Sequence, residues 1–144
     1  MNGSSGKTNN ADKLVHHFDE APIKLGKAFS CASAGIFYAI RTQRNFKIHI
    51  AFAVIAIVLG FVLSIPYPSW LAVILCITAV FALEIVNTSI EAIVDMVSPE
   101  WHDLAMKAKD CAAGAVLMFA IGSIIIAAVV YIPPLVEILS SVVL

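Results

Sequence analysis

The fold is decided by the stretch Trp70–Asp95, which reads WLAVILCITAVFALEIVNTSIEAIVD. From Trp70 to Leu83 it is apolar except for one threonine, over about 14 residues. A helix that short does not cross a hydrocarbon core of ~30 Å, which takes about 20 residues. The helix must therefore continue past its apolar part, and it carries Glu84, Asn87 and Glu91 into the membrane.

Two further apolar segments flank this stretch. Ile48–Ile65 has no formal charge, and Cys111–Ile132 is uninterrupted up to a pair of prolines. The chain has 144 residues, of which 60% are hydrophobic and 13% charged, too few polar residues to cover a soluble domain. The sequence predicts an all-α integral membrane protein, with transmembrane helices over about 47–65, 70–95 and 108–132.

The segment before the first span has a different character. Residues 1–21 begin with a stretch rich in Gly, Ser and Asn from Met1 to Asn10, which indicates a disordered cytoplasmic tail. Pro22 suits the first position of a helix. From there to residue 43, apolar residues recur at helical spacing among basic ones, which predicts an amphipathic helix at the membrane interface. Residues 22–144 then form one membrane domain.

Basic residues predict the orientation. Five of them lie between Lys24 and Lys47, shortly before the first span, and two precede the third, whereas the Ser64–Ser69 turn and the C-terminal tail have neither Lys nor Arg. The N-terminus should therefore be cytoplasmic and the C-terminus outside the cell membrane. The net charge of −1 gives no sign of a nucleic-acid partner.

Four polar side chains of the middle span share one face. Glu84, Asn87, Glu91 and Asp95 are spaced by 3, 4 and 4 residues, so they fall within roughly 80° of one another on a helix. If the span begins near Leu71, Glu84 lies about 20 Å and Glu91 about 30 Å along it. A charged residue deep in the core costs about 2.5–3.5 kcal/mol and usually marks function.

This polar stripe suits phosphorylation of a lipid. A lipid hydroxyl arriving laterally could give its proton to Glu84 as general base. ATP arriving from water could meet Glu91, where a carboxylate can hold Mg²⁺ against the phosphates. Spacing alone leaves two alternatives open: hydrogen bonds that only join helices, and a transport or proton-relay role.

The polar segment before the third span adds further candidates. Lys109 and Asp110 directly precede the apolar run, at the depth expected for Glu91. A lysine there can neutralise phosphate as a point cation, or simply reach to water from the interface. His102 and His49 are each more typical of interfacial histidines than of ligands.

These residues resemble a known family. The run ExxNTxIExxVD at Glu84–Asp95 is followed by EWHxxAxxAKDxAAGAV at Glu100–Val116, and together they look like the prokaryotic diacylglycerol kinase/undecaprenol kinase family of small three-span membrane enzymes. The resemblance covers roughly Lys24–Tyr131. The stretch RNFKIH at Arg44–His49 looks more like the undecaprenol kinase branch typical of Gram-positive bacteria.

The resemblance implies a homotrimer with composite active sites that transfers phosphate from ATP to a membrane lipid with Mg²⁺. By motif position, Glu84 would be the catalytic base, Asn87 a neighbouring active-site group and Glu91 a ligand of metal and nucleotide. The remaining residues implied to hold ATP are Glu100, His102, Lys109, Asp110, Lys24 and Lys27.

One position departs from the family pattern. The family usually has a glutamate before the RN pair, where it joins the second-span glutamate as metal ligand, and this chain has Gln43. An amide oxygen can still bind Mg²⁺, with one negative charge fewer. We expect an ATP-dependent lipid kinase acting on undecaprenol or diacylglycerol, with undecaprenol favoured. The alternatives are a lipid-binding or assembly protein that lost catalysis through Gln43, and a small proton-coupled transporter.

Overall fold

The structure, a computed structural model, describes residues 25–143, with side chains up to Ser141. This part of the chain forms four α-helices and contains no strand. They are α1 (Leu25–Thr42), α2 (Arg44–Val62), α3 (Tyr67–Val97) and α4 (Asp103–Val143). The predicted all-helical fold is confirmed. The predicted tail over residues 1–21 and the candidate Lys24 lie outside the described residues.

The chain divides into two compact units between Ala34 and Gly35. Of the first unit, the structure describes the residues from Leu25 onward, which are helical and exposed. Within it, Ser33 Oγ donates a hydrogen bond to the Phe29 carbonyl at 2.8 Å. The second unit contains the rest of α1 and the other three helices, and all of the packing described below belongs to it.

Helices α2, α3 and α4 are each long and apolar enough to cross a membrane. Most of their large apolar side chains are exposed within a single chain, as expected for surfaces that face lipid or other subunits rather than water. The prediction of three helices that are long and apolar enough to cross a membrane is confirmed. The residues at which they enter and leave the membrane stay predictions.

Helix α4 is longer than the sequence suggested. It continues through Pro133 and Pro134 to Val143, whereas the proline pair was expected to close the span near Ile132. Proline has no N–H, so the carbonyls of Val129 and Val130 lose their usual helical donors there. The helix has 41 residues, or about 60 Å at the usual rise, which exceeds the ~30 Å of a hydrocarbon core.

A tight turn joins α2 to α3. Ser64 has φ of 49°, the left-handed conformation that ends many helices. Its N–H bonds to the Phe61 carbonyl, and the Ile65 N–H bonds to the Gly60 carbonyl. A Cβ on Gly60 would lie 2.7 Å from Trp70 Cη2, so glycine lets α2 approach the indole at the start of α3.

Helix α3 lies at the centre of the second unit and packs most extensively against α4. The rings of Phe46 and Phe81 join α2 to α3 with centroids 5.2 Å apart. Tyr131 Oη donates a hydrogen bond to the Ala56 carbonyl at 2.8 Å and so links α4 to α2. Because α2 and α4 otherwise touch little, cavities remain between them.

Candidate active site

The link between α1 and α2 is a single residue, Gln43. It has an extended conformation, with φ of −88° and ψ of 121°, and its N–H still bonds to the Ala39 carbonyl at 2.9 Å. This one-residue break redirects the chain, because the residues on both sides are helical. The Gln43 side chain thereby reaches α3, 48 positions further along the chain.

Glu91 accepts hydrogen bonds on both carboxylate oxygens. Gln43 Nε2 donates to Oε2 at 2.7 Å, and Asn87 Nδ2 donates to Oε1 at 3.0 Å. Charge-assisted hydrogen bonds of this kind are stronger than neutral ones. The carboxylate is therefore held between two neutral amides, and Gln43 serves as a donor rather than as a second acidic group.

Asn87 has one atom without a partner. The residue is 6% exposed, and its Oδ1 is buried with no hydrogen-bond donor among the described residues. Leaving a buried acceptor unpaired costs about 1–3 kcal/mol. Such an atom is available to a hydroxyl group or a cation that enters the site.

Glu84 is the most buried charged side chain of the described residues, with 2% exposure. His49 Nε2 on α2 lies 3.2 Å from Glu84 Oε1, within hydrogen-bonding distance. One turn after Glu84 on α3, Thr88 Oγ1 donates a hydrogen bond to the backbone carbonyl of Glu84 at 2.8 Å. Because the Thr88 hydroxyl bonds to the backbone, His49 rather than Thr88 is the polar neighbour of the Glu84 carboxylate.

Glu84, Asn87 and Glu91 line one cavity of about 300 Å³ between α2, α3 and α4. These three residues of the polar stripe share one face of α3, as their spacing predicted, whereas its fourth residue, Asp95, is exposed. Helix α2 contributes Asn45 and His49, and α4 contributes only small or apolar side chains, which are Ala113, Val116, Leu117 and Ala120. We call this the polar cavity.

A second cavity, also of about 300 Å³, adjoins the first. His49 and Ala120 line both of them. Apart from His49, Ser123, Cys76 and the ring of Tyr131, its walls are aliphatic or phenylalanine side chains. We call this the apolar cavity. The two cavities place a set of acidic and amide groups beside a space suited to hydrocarbon.

Lys109 does not line the polar cavity, but it contacts the end of the polar stripe. Its Nζ forms an ion pair and hydrogen bond with Asp95 Oδ1, one helical turn beyond Glu91. The lysine is half-buried and the aspartate exposed. This pair fixes the start of α4 against the end of α3, and it places a cation near the mouth of the site.

Three of the other predicted nucleotide contacts, Glu100, His102 and Asp110, do not line the polar cavity. Glu100, His102 and Asp110 are exposed, and His102 Nδ1 accepts a hydrogen bond from the Leu104 N–H at 3.2 Å. Lys27 is exposed and belongs to the first unit, and Lys24 lies outside the described residues. Their roles in holding ATP stay predictions.

Two site residues were not singled out from the sequence. His49 was interpreted as an interfacial histidine, although it is one of two polar residues in the otherwise apolar stretch Ile48–Ile65. The position of this polar side chain within an apolar segment could have identified it as a candidate site residue. Asn45, which also lines the polar cavity, gave no signal, because polar residues are ordinary at the end of a span.

Comparison with known proteins agrees with this arrangement. The family model described as prokaryotic diacylglycerol kinase matches residues 30–131. An undecaprenol kinase of Bacillus subtilis is 41% identical over 109 residues, which cover 76% of this chain and 89% of that protein. A diacylglycerol kinase of Synechocystis is 40% identical over 113 residues, covering 78% and 65%. A diacylglycerol kinase of Escherichia coli is 29% identical over 102 residues, covering 71% and 84%.

The helices indicate a multi-pass membrane protein, and one of its cavities is lined by two carboxylates. The chain belongs to the prokaryotic diacylglycerol kinase family. It is a lipid kinase, a phosphotransferase with ATP as donor and a membrane lipid as acceptor. This membership confirms the resemblance inferred from the sequence, and it favours the kinase over the transporter that the polar stripe alone left open.

Proposed function

We propose that the chain phosphorylates a membrane alcohol by direct in-line transfer from Mg·ATP, with Glu84 as general base. The observation that supports this most is the pair of adjoining cavities, one acidic and one apolar. A lipid whose chain occupies the apolar cavity would present its hydroxyl to Glu84. The reacting groups would then be held together, which contributes much of the rate in phosphoryl transfer.

Glu91 and its two amide neighbours fit a magnesium ion. Mg²⁺ prefers oxygen ligands and commonly binds one or two carboxylates together with substrate phosphates. Glu91 supplies one carboxylate, and the buried Asn87 Oδ1 is an acceptor without a donor. Gln43 would have to turn its amide and give up its bond to Glu91 in order to offer an oxygen. When bound, the ion would neutralise charge on the phosphates.

Nucleotide would enter next to Lys109. Its bond to Asp95 is partly exposed, so a phosphate group can compete for the ammonium ion at modest cost. Glu100, His102, Asp110, Lys24 and Lys27 remain proposed contacts for ATP. The polar cavity is only partly enclosed by this chain, and the large exposed apolar surface supports a homotrimer in which neighbouring subunits complete each site.

The distribution of basic residues supports an N-terminus in the cytoplasm and a C-terminus outside. The site would then face the cytosol, where ATP is available. Helix α1 carries exposed Phe29, Phe37 and Arg41 side chains, which suits a place at the membrane interface.

The acceptor distinguishes two biological roles. Purified protein with labelled ATP should phosphorylate undecaprenol, and more slowly diacylglycerol, because the stretch Arg44–His49 resembles the undecaprenol kinase branch. Phosphorylation of neither lipid by folded protein would refute the proposed reaction. A preference for diacylglycerol would retain the reaction and change the acceptor, and with it the role, from recycling an envelope lipid carrier to producing phosphatidate.

The contact between Gln43 and Glu91 supports a second candidate function, that of a kinase-like protein with weakened catalysis. In Gln43→Glu, two carboxylates would face each other where an amide now donates at 2.7 Å. Unit charges 4 Å apart interact by about 4 kcal/mol at an effective dielectric constant of 20. We expect the variant to need about tenfold less Mg²⁺ for half-maximal rate, because a tenfold gain in affinity requires only about a third of that interaction energy. Magnesium titration of the kinase rate measures this.

Gln43→Ala is the matched control, because it removes the donor without adding charge and should not lower the magnesium requirement. An unchanged requirement in Gln43→Glu would contradict a metal site at this position. A wild-type rate near zero that rises steeply in Gln43→Glu would favour the second candidate function, a protein that binds lipid without efficient turnover.

A further inference from the structure

The burial of Glu84 is difficult to reconcile with its proposed role as general base. A carboxylate that is 2% exposed has lost most of its hydration, and ionised groups are costly to bury without a partner. A general base must nevertheless be ionised, because a protonated carboxyl group cannot accept a proton. Some neighbouring group must therefore favour the carboxylate form.

The surroundings leave one group for this task among the described residues. From α2, His49 approaches Glu84 Oε1 at 3.2 Å. From α4, the cavity wall contains only alanine, valine and leucine side chains. On α3 itself, Glu91 lines the same cavity, and its carboxylate would repel a second one. Among the described residues, His49 is the side chain from a neighbouring helix that brings an N–H group to the Glu84 carboxylate, and a hydrogen bond donated to a carboxylate favours its ionised form.

The position of His49 also matters, because it lines both cavities. A lipid hydroxyl that passes from the apolar to the polar cavity would come close to His49 and Ala120, the two residues that line both. If the imidazole N–H holds Oε1, the second carboxylate oxygen is left to receive the proton. One hydrogen bond would thus both orient the carboxylate and keep it charged, as the orienting group of a catalytic pair does.

We propose that His49 is a positioning residue for the kinase reaction, which holds Glu84 ionised and oriented toward the lipid hydroxyl. The inference rests on the proposed function of Glu84. The lipid O–H proton passes to the free Glu84 oxygen as the bond from lipid oxygen to the γ-phosphorus forms. The bond from that phosphorus to the β,γ-bridging oxygen breaks, and ADP leaves with the electron pair. Glu84 later releases the proton to water, and His49 gains none.

The experiment compares His49→Leu with His49→Gln in purified full-length protein, with the lipid that the wild type phosphorylates. Leucine removes the donor and keeps an apolar side chain beside the apolar cavity. We expect its kcat to fall by about 10²-fold, as for a small misplacement of a reacting group, with the KM for ATP unchanged. Glutamine retains an N–H donor and should recover to within about tenfold of the wild type.

Thr78→Val is the control, since Thr78 lies on α3 outside both cavities and its hydroxyl bonds to the Ile74 carbonyl. It should leave kcat unchanged. If His49→Leu does not fold, His49→Ala with and without added imidazole decides the matter, and recovery of kcat by imidazole supports the proposal.

Three results would overturn the inference: a wild-type kcat in His49→Leu, equal losses in folded leucine and glutamine variants, or no recovery of His49→Ala by imidazole. A wild-type protein without kinase activity would refute the proposed function instead. The two failures are therefore distinguishable.

Discussion

Glu84→Gln should abolish lipid phosphorylation while the protein stays folded. The amide keeps an oxygen that can accept from His49 Nε2, now 3.2 Å from Glu84 Oε1, but it cannot take the proton of a lipid hydroxyl. General bases contribute about 10²–10⁴-fold to rate, so we expect kcat to fall by at least 10²-fold. Binding of ATP should change little, because Glu84 lies on the apolar-cavity side of the site. Initial rates with saturating ATP measure the effect.

The matched control is Glu137→Gln, the same chemical change on an exposed residue of α4 remote from both cavities. It should retain wild-type turnover. Thermal unfolding and size-exclusion chromatography in detergent would show whether Glu84→Gln keeps its assembly. Wild-type turnover in a folded Glu84→Gln protein would end the assignment of Glu84 as base.

Glu91→Ala should remove both activity and its dependence on Mg²⁺. The change deletes the carboxylate that accepts from Gln43 and Asn87, and it leaves those two amides without their acceptor. Loss of groups that only orient metal ligands costs about 10–100-fold, so loss of a ligand itself should cost more than 10²-fold. Rates measured across a magnesium titration, at fixed free ATP, test this.

Glu91→Gln separates charge from hydrogen bonding. It keeps one acceptor for the neighbouring amides, and it should still lose the magnesium response because the negative charge is gone. Glu137→Gln again serves as control. Magnesium-stimulated turnover that persists unchanged in Glu91→Ala would contradict a metal role for this residue, whatever the activity of Glu84 variants.

The sequence predicted the local parts of the site well. The spacing of Glu84, Asn87 and Glu91 follows from the geometry of one helix, and the structure places all three in one cavity. An unusually short apolar run also predicted that α3 continues past Leu83. Both inferences needed only the period of a helix and the thickness of a bilayer.

Contacts between distant segments could not be predicted in the same way. The bond from Gln43 to Glu91 spans 48 positions, and it depends on a one-residue break whose direction no periodicity specifies. The approach of His49 to Glu84 depends on how α2 packs against α3. The continuation of α4 through two prolines also depends on context, because local propensity favours an end there.

The burial of Glu84 bears on a reaction that the enzyme must avoid. Water carries the same O–H bond as an alcohol, so a base open to solvent would promote hydrolysis of ATP. A long-chain alcohol gains by filling the adjoining apolar space, whereas a lone water molecule finds few polar partners there. Under the proposed reaction, the low exposure of this carboxylate therefore protects the nucleotide from wasteful cleavage when no acceptor is in place.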